Sequence, residues 1–93
     1  MAEELKERAE KEIKMMRKVF SKIELINEND KLADEFFNMA SNYFKDSNFF
    51  FQNKDYIRAF EAIVISWSYV DAGIKAGMFS VSKELKNYFT SSD

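Results

Sequence analysis

Between Tyr56 and Phe79 the chain carries only four charged residues, Arg58, Glu61, Asp71 and Lys75. A helical stretch with so few charges is no ordinary surface helix, because a helix that is apolar all round has to be covered all round. At about 100° per residue, Ile57, Phe60, Ile63, Val64, Trp67, Val70 and Ile74 form one face. Ala62, Ile65, Tyr69, Gly73 and Ala76 form a second, weaker apolar strip across from it. Two partner helices cover about two-thirds of such a surface, so the second strip needs a further cover. Either the end of the chain or another protein chain has to supply it.

The rest of the sequence supplies two partners. Over 3–26, Leu5, Ala9, Ile13, Met16, Phe20 and Ile23 recur at steps of three and four, which aligns them on one helical face. Glu4–Arg8, Glu7–Lys11 and Glu10–Lys14 are spaced for ion pairs one turn apart. Asn27-Glu28-Asn29-Asp30 reads as a turn in which Asn29 or Asp30 caps the next helix. That helix spans 31–52, with Leu32, Phe36, Met39, Ala40, Tyr43, Phe44, Ser47, Phe50 and Phe51 on one broad stripe. The triplet Phe49-Phe50-Phe51 lies inside this uninterrupted pattern and reads as helix, not strand. Asn53-Lys54-Asp55 is a tight connection, and Asp55 caps a third helix over 55–77. Ser80 or Ser82 can cap a short fourth helix over 81–89, bearing Val81, Leu85, Tyr88 and Phe89. Short connections between long helices make neighbours antiparallel. The expected fold is all-α: an up-and-down three-helix bundle in one domain, 1–93, to which a short fourth helix can be added, with either that helix as a lid or a second copy of the chain as the further cover.

Composition narrows the chemistry. With no Cys and no His, the chain has no thiolate nucleophile, no zinc–thiolate site and no imidazole base. A metal would need an all-oxygen site built from clustered carboxylates. The net charge of −2 gives no global attraction to nucleic acid or anionic membrane. No apolar run approaches the ~20 residues that span a bilayer, and the opening Met-Ala-Glu-Glu-Leu-Lys lacks the apolar core of a signal peptide. A cytoplasmic protein without cofactor or membrane partner is expected.

Four groups of residues are candidates for function. Asp71 lies between Trp67 and Ile74 inside the main apolar face, near the C-terminal end of its helix, where the macrodipole disfavours a negative charge. A carboxylate buried there needs partners. In a hairpin turning at Asn53–Lys54, Asp71 comes level with Phe36, so free N–H groups around Lys31 to Asp34 are within its reach, as is Lys75 one turn on. It is read as a buried polar anchor. Asp46 comes level with Glu61 and lies about 15 Å along the axis from Asp71, which speaks against a paired-carboxylate enzyme site. Lys11, Lys14, Lys18 and Lys22 share one face of the first helix, with Arg17 beside them. Such a ridge can contact phosphates, though it lies opposite the apolar face, where lysines ordinarily serve solubility. Gly73 and Gly77, four apart, permit close backbone approach, and Gly77 suits the residue that stops the helix.

One resemblance adds to these readings. Tyr43-Phe44-Lys45-Asp46, Phe49-Phe50, Asp55, Ala59-Phe60-Glu61-Ala62-Ile63 and Trp67-Ser68-Tyr69-Val70-Asp71-Ala72-Gly73-Ile74-Lys75-Ala76-Gly77-Met78-Phe79 resemble the short archaeal proteins grouped as domain of unknown function 357. The Asp-Ala-Gly-x-x-x-Gly ending and its spacing from Tyr-Phe-x-Asp carry the likeness, which covers a little under half the chain. It implies an archaeal cytosolic protein with a three-helix bundle similar to albumin-binding domains, and it implies no activity. Ser68 stands where a smaller residue is usual. The functional expectation is a module that self-associates or docks a protein partner through Ala62, Ile65, Tyr69, Gly73 and Ala76. Nucleic-acid binding through the basic ridge is the alternative.

Overall fold

A computed structural model of the chain describes residues 2–89. In order they form α1 (Ala2–Lys22), β1 (Glu24–Leu25), α2 (Lys31–Gln52), α3 (Tyr56–Lys75), β2 (Phe79–Ser80) and a 3-10 helix, Lys83–Phe89. The architecture is a helical bundle, as the periodicity predicts.

Its centre is the α2–α3 hairpin. Asp30 accepts from the Ala33 N–H at 3.1 Å and Asp55 from the Arg58 N–H at 3.2 Å, so each helix opens on the expected cap. The two helices close alike. Asp55 N–H donates to Phe50 O and Lys54 N–H to Phe51 O; Met78 N–H donates to Gly73 O and Gly77 N–H to Ile74 O. Both are Schellman closures, which put one residue in the left-handed region. Those residues are Lys54, with φ 62°, and Gly77, with φ 76°.

Small side chains line the seam. Ala33, Ala40 and Ser47, seven residues apart, are buried on α2, and Ala59, Ala62, Ser66 and Gly73 are buried on α3. Steps of seven return to nearly the same helical face, and small side chains let the two backbones draw close. Ser66 Oγ then reaches across to donate to Ala40 O at 2.7 Å in a buried bond. The hairpin register falls within two residues of the expected one: Ser66 lies beside Ala40, and Tyr69, in place of Asp71, lies beside Phe36.

This seam corrects the reading of α3. Its buried arc is Ala59, Ala62, Ile63, Ser66, Val70 and Gly73, whereas Ile57 is 62% and Val64 43% exposed. The arc centres on the small residues because they touch α2, and the bulky residues are displaced to the flanks.

Against one flank lies α1, burying Ala9, Ile13, Met16 and Val19. Phe20 meets the Phe37 and Phe44 rings at 5.6 and 5.1 Å, and Arg17 donates to Asn48 Oδ1. The helix ends at Lys22, not 26 as the periodicity suggests. Glu24 and Leu25 leave it to pair antiparallel with Ser80 and Phe79, and Ile26 N–H donates to Met78 O at 2.9 Å. This ladder was not expected from sequence. Phe79, fully buried, fills the space over Gly73, where an added Cβ would overlap its ring.

The chain beyond β2 folds back as a lid, as a 3-10 helix. Val81 and Leu85 join the core formed by Ile13, Met16, Val19, Ile63 and Val70. Tyr88 and Phe89 lie against Trp67 at 6.1 and 5.1 Å. Neither serine caps by side chain: Ser80 is in β2, and Ser82 Oγ is buried without a partner while its carbonyl accepts from Leu85 N–H.

Candidate functional site

The hairpin has two flanks, and among the described residues only one is covered. On α2 the residues that meet α1 are Phe37, Phe44 and Asn48. On the other side of the Ala33–Ala40–Ser47 line, by helical angle, come Leu32, Phe36, Met39, Tyr43 and Phe50. From α3 this second flank receives Arg58, Ile65, Tyr69 and Ala76. Tyr69 stands edge-on to Phe36 at 5.6 Å and stacks with Tyr43 at 6.2 Å and 13°. The Arg58 guanidinium lies 5.9 Å from the Phe50 ring centroid. Among the described residues no further element packs over this trough, and Leu32, Met39 and Ile65 are 51%, 37% and 37% exposed.

The five predicted interaction residues divide. Ile65, Tyr69 and Ala76 border the open flank, and Tyr69 is its half-buried centre. Ala62 and Gly73 do not face out: Ala62 is 5% exposed in the α2–α3 seam, and Gly73 is buried under Phe79. Both are consumed by close packing within the chain. The lid covers the Trp67 side, so it leaves the open flank bare. Sequence reasoning missed the α2 half of the trough, Leu32, Phe36, Met39, Tyr43 and Phe50. The available signal was the breadth of the stripe, which is wide enough to face two neighbours.

Asp71 needs a second correction. It is not a buried anchor at the start of α2, where Asp30 already holds the free N–H of Ala33. Its side chain is 34% exposed and pairs with Lys75 at 3.1 Å, the nearer of the two expected partners. Rotation of α3 toward α2 carries Asp71 to the α1 side, into a groove of about 380 Å³ shared with Arg8, Glu12, Trp67, Tyr88 and Phe89. Asp46 and Glu61 are exposed. Among the described residues no group of three or more carboxylates is placed to hold a metal.

Lys11, Lys14, Lys18 and Lys22 are all exposed on α1. Lys14 pairs with Glu10 at 3.7 Å, and Arg17 turns away from the ridge to Asn48 and the Phe44 ring. Arg8 pairs with Glu12 at 3.5 Å, forward along the helix, where Glu4 was the predicted partner. Among the described residues no helix is long and apolar enough to cross a membrane.

The fold and trough define a small helical bundle organised on one tight hairpin with a bare aromatic flank. The chain belongs to the family described as protein of unknown function DUF357, whose model matches residues 4–79. It is similar to the crystal structure of protein AF1782 from Archaeoglobus fulgidus, matched by the same family model, with 25% identity and a TM-score of 0.75. That likeness covers 87% of this chain and 97% of the other. Comparison with curated proteins gives no match.

Proposed function

We propose that the protein is a non-catalytic association module that docks an amphipathic helix of another protein chain, in the first instance a second copy of itself, on the open flank of α2–α3. The observation that carries this reading is the bare trough around Tyr69, walled by Phe36, Met39, Tyr43 and Ile65. Contiguous exposed apolar surface of this kind marks docking sites on soluble proteins. The flank opposite already holds a helix, α1, so the same hairpin is suited to hold another in a four-helix arrangement. Aromatic side chains with a polar tip are enriched at such interfaces, and Tyr43 and Tyr69 supply two of them here.

Sedimentation equilibrium from micromolar to millimolar protein tests it. The chain is expected to associate, and Ile65→Glu with Met39→Glu is expected to return it to a monomer with unchanged helicity. A wild-type chain that stays monomeric across that range refutes self-association. An unchanged oligomer in the double variant moves the interface elsewhere.

A further inference from the structure

On the other side of α3, the groove under the lid has an unmet need of its own. Among the described residues, the buried side-chain atoms without a hydrogen-bond partner include Trp67 Nε1 and Asp71 Oδ1, on residues one turn apart that line this groove with Tyr88 and Phe89. Buried polar atoms are nearly always paired, so unpaired ones gathered at one contact mark it as imperfectly matched. The lid is held unevenly. Val81 and Leu85 are buried anchors, whereas Tyr88 and Phe89 are half-buried and touch Trp67 through ring contacts. Its seven residues of 3-10 helix also exceed the three or four at which that conformation ordinarily stops.

The charges of the groove are already balanced. Arg8 pairs with Glu12 and Asp71 Oδ2 with Lys75. These pairs leave the groove without an uncompensated charge to attract an ionic ligand. What remains unfilled is one N–H donor on Trp67 and one carboxylate acceptor on Asp71, bordered by aromatic and aliphatic surface from Phe60 and Val64. The complement is one C=O and one N–H beside an apolar side chain.

We infer that this groove binds a neutral, amide-bearing chain, a peptide segment with an apolar or aromatic side chain, and that Tyr88 and Phe89 are the displaceable lid over it. The segment places its side chain where Tyr88 and Phe89 lie, donates its N–H to Asp71 Oδ1 and accepts from Trp67 Nε1. Leu85 stays in the core and serves as the hinge point. This site is independent of the open flank, from which α3 separates it.

Trp67 is the single tryptophan of the chain, so its indole N–H gives one assignable nitrogen–proton resonance. N-acetyl-phenylalanine amide is titrated into the full-length chain, into Phe89→Ala and into Tyr88→Ala with Phe89→Ala. The indole proton is expected to move downfield saturably in all three, with binding at least about threefold tighter once the lid rings are gone, because a closed lid lowers the competent fraction. Adding Asp71→Ala to the Phe89→Ala chain is expected to abolish saturation. The inference is overturned if no chain shows saturable movement, or if benzyl alcohol, which lacks the amide, moves the resonance equally. It is also overturned if raising the protein concentration alone produces the shift, which would assign the groove to a second copy. Circular dichroism checks that the helices persist, and Phe89→Ala carries the test should the double variant unfold.

Discussion

The two flanks of the α2–α3 hairpin are built from similar residues and meet opposite fates. One presents Phe37 and Phe44 and is sealed by Phe20, Met16 and their neighbours on α1. The other presents Phe36, Tyr43 and Tyr69, half-buried against one another, with Leu32, Met39 and Ile65 exposed beside them. Hydrophobicity alone does not distinguish them. The open side differs in polarity at its tips: its rings include two tyrosines, which tolerate water on one end, whereas the sealed side of α2 uses phenylalanine. The contrast shows one apolar flank of the hairpin packed against α1 and a second without a described neighbour, the two separated by a line of Ala, Ser and Gly.

Substitutions that compare the flanks test this division, beginning with the seam between them. Gly73→Leu drives a side chain into the Phe79 ring and is expected to destabilise by more than about 4 kcal/mol, read as loss of the cooperative urea transition. Met16→Ala on the sealed side empties a fully buried position and is expected to cost about 2–5 kcal/mol. The same change at Met39, on the open side, is expected to cost under about 1 kcal/mol in the dilute monomer, and more as protein concentration rises and a second copy covers it. Lys54→Gly relieves the left-handed strain at the hairpin turn and is expected to stabilise by up to about 1 kcal/mol, while Gly77→Ala loses a similar amount. Lys14→Glu with Lys18→Glu is expected to leave the melting temperature within about 2 °C. Salt-sensitive RNA binding that this pair abolishes would revive the nucleic-acid alternative.

Much of the architecture was legible. The helix 31–52, both aspartate caps and the register through Asn53–Lys54 followed from spacing and turn chemistry, because local signals of this kind act without tertiary help. The rotation of α3 did not follow. Counting large apolar residues centres that helix on Phe60, Val64 and Trp67, but close approach selects Ala59, Ala62, Ser66 and Gly73, which a hydrophobic count undervalues. The strand pair was invisible for a different reason. Two residues on each side have no periodicity, and their pairing depends on where α1 and α3 happen to end. The trough was half legible, since the α3 strip pointed to it while the α2 stripe concealed two faces in one.

That short ladder has a consequence for how the chain assembles. The hairpin brings together neighbours in sequence, whereas Glu24 and Ser80 close a loop that encloses the whole of it. Closing the longer loop costs more chain entropy, which the burial of Phe79 and a few hydrogen bonds offset. The two sides of the ladder are held unequally, because Phe79 is buried on one whereas Leu25 is half-buried and Ile26 is 60% exposed on the other. Amide exchange at Leu25 and Ile26 is expected to run ahead of the hairpin, so that the molecule loosens where α1 and α3 end while the turn at Lys54 stays closed.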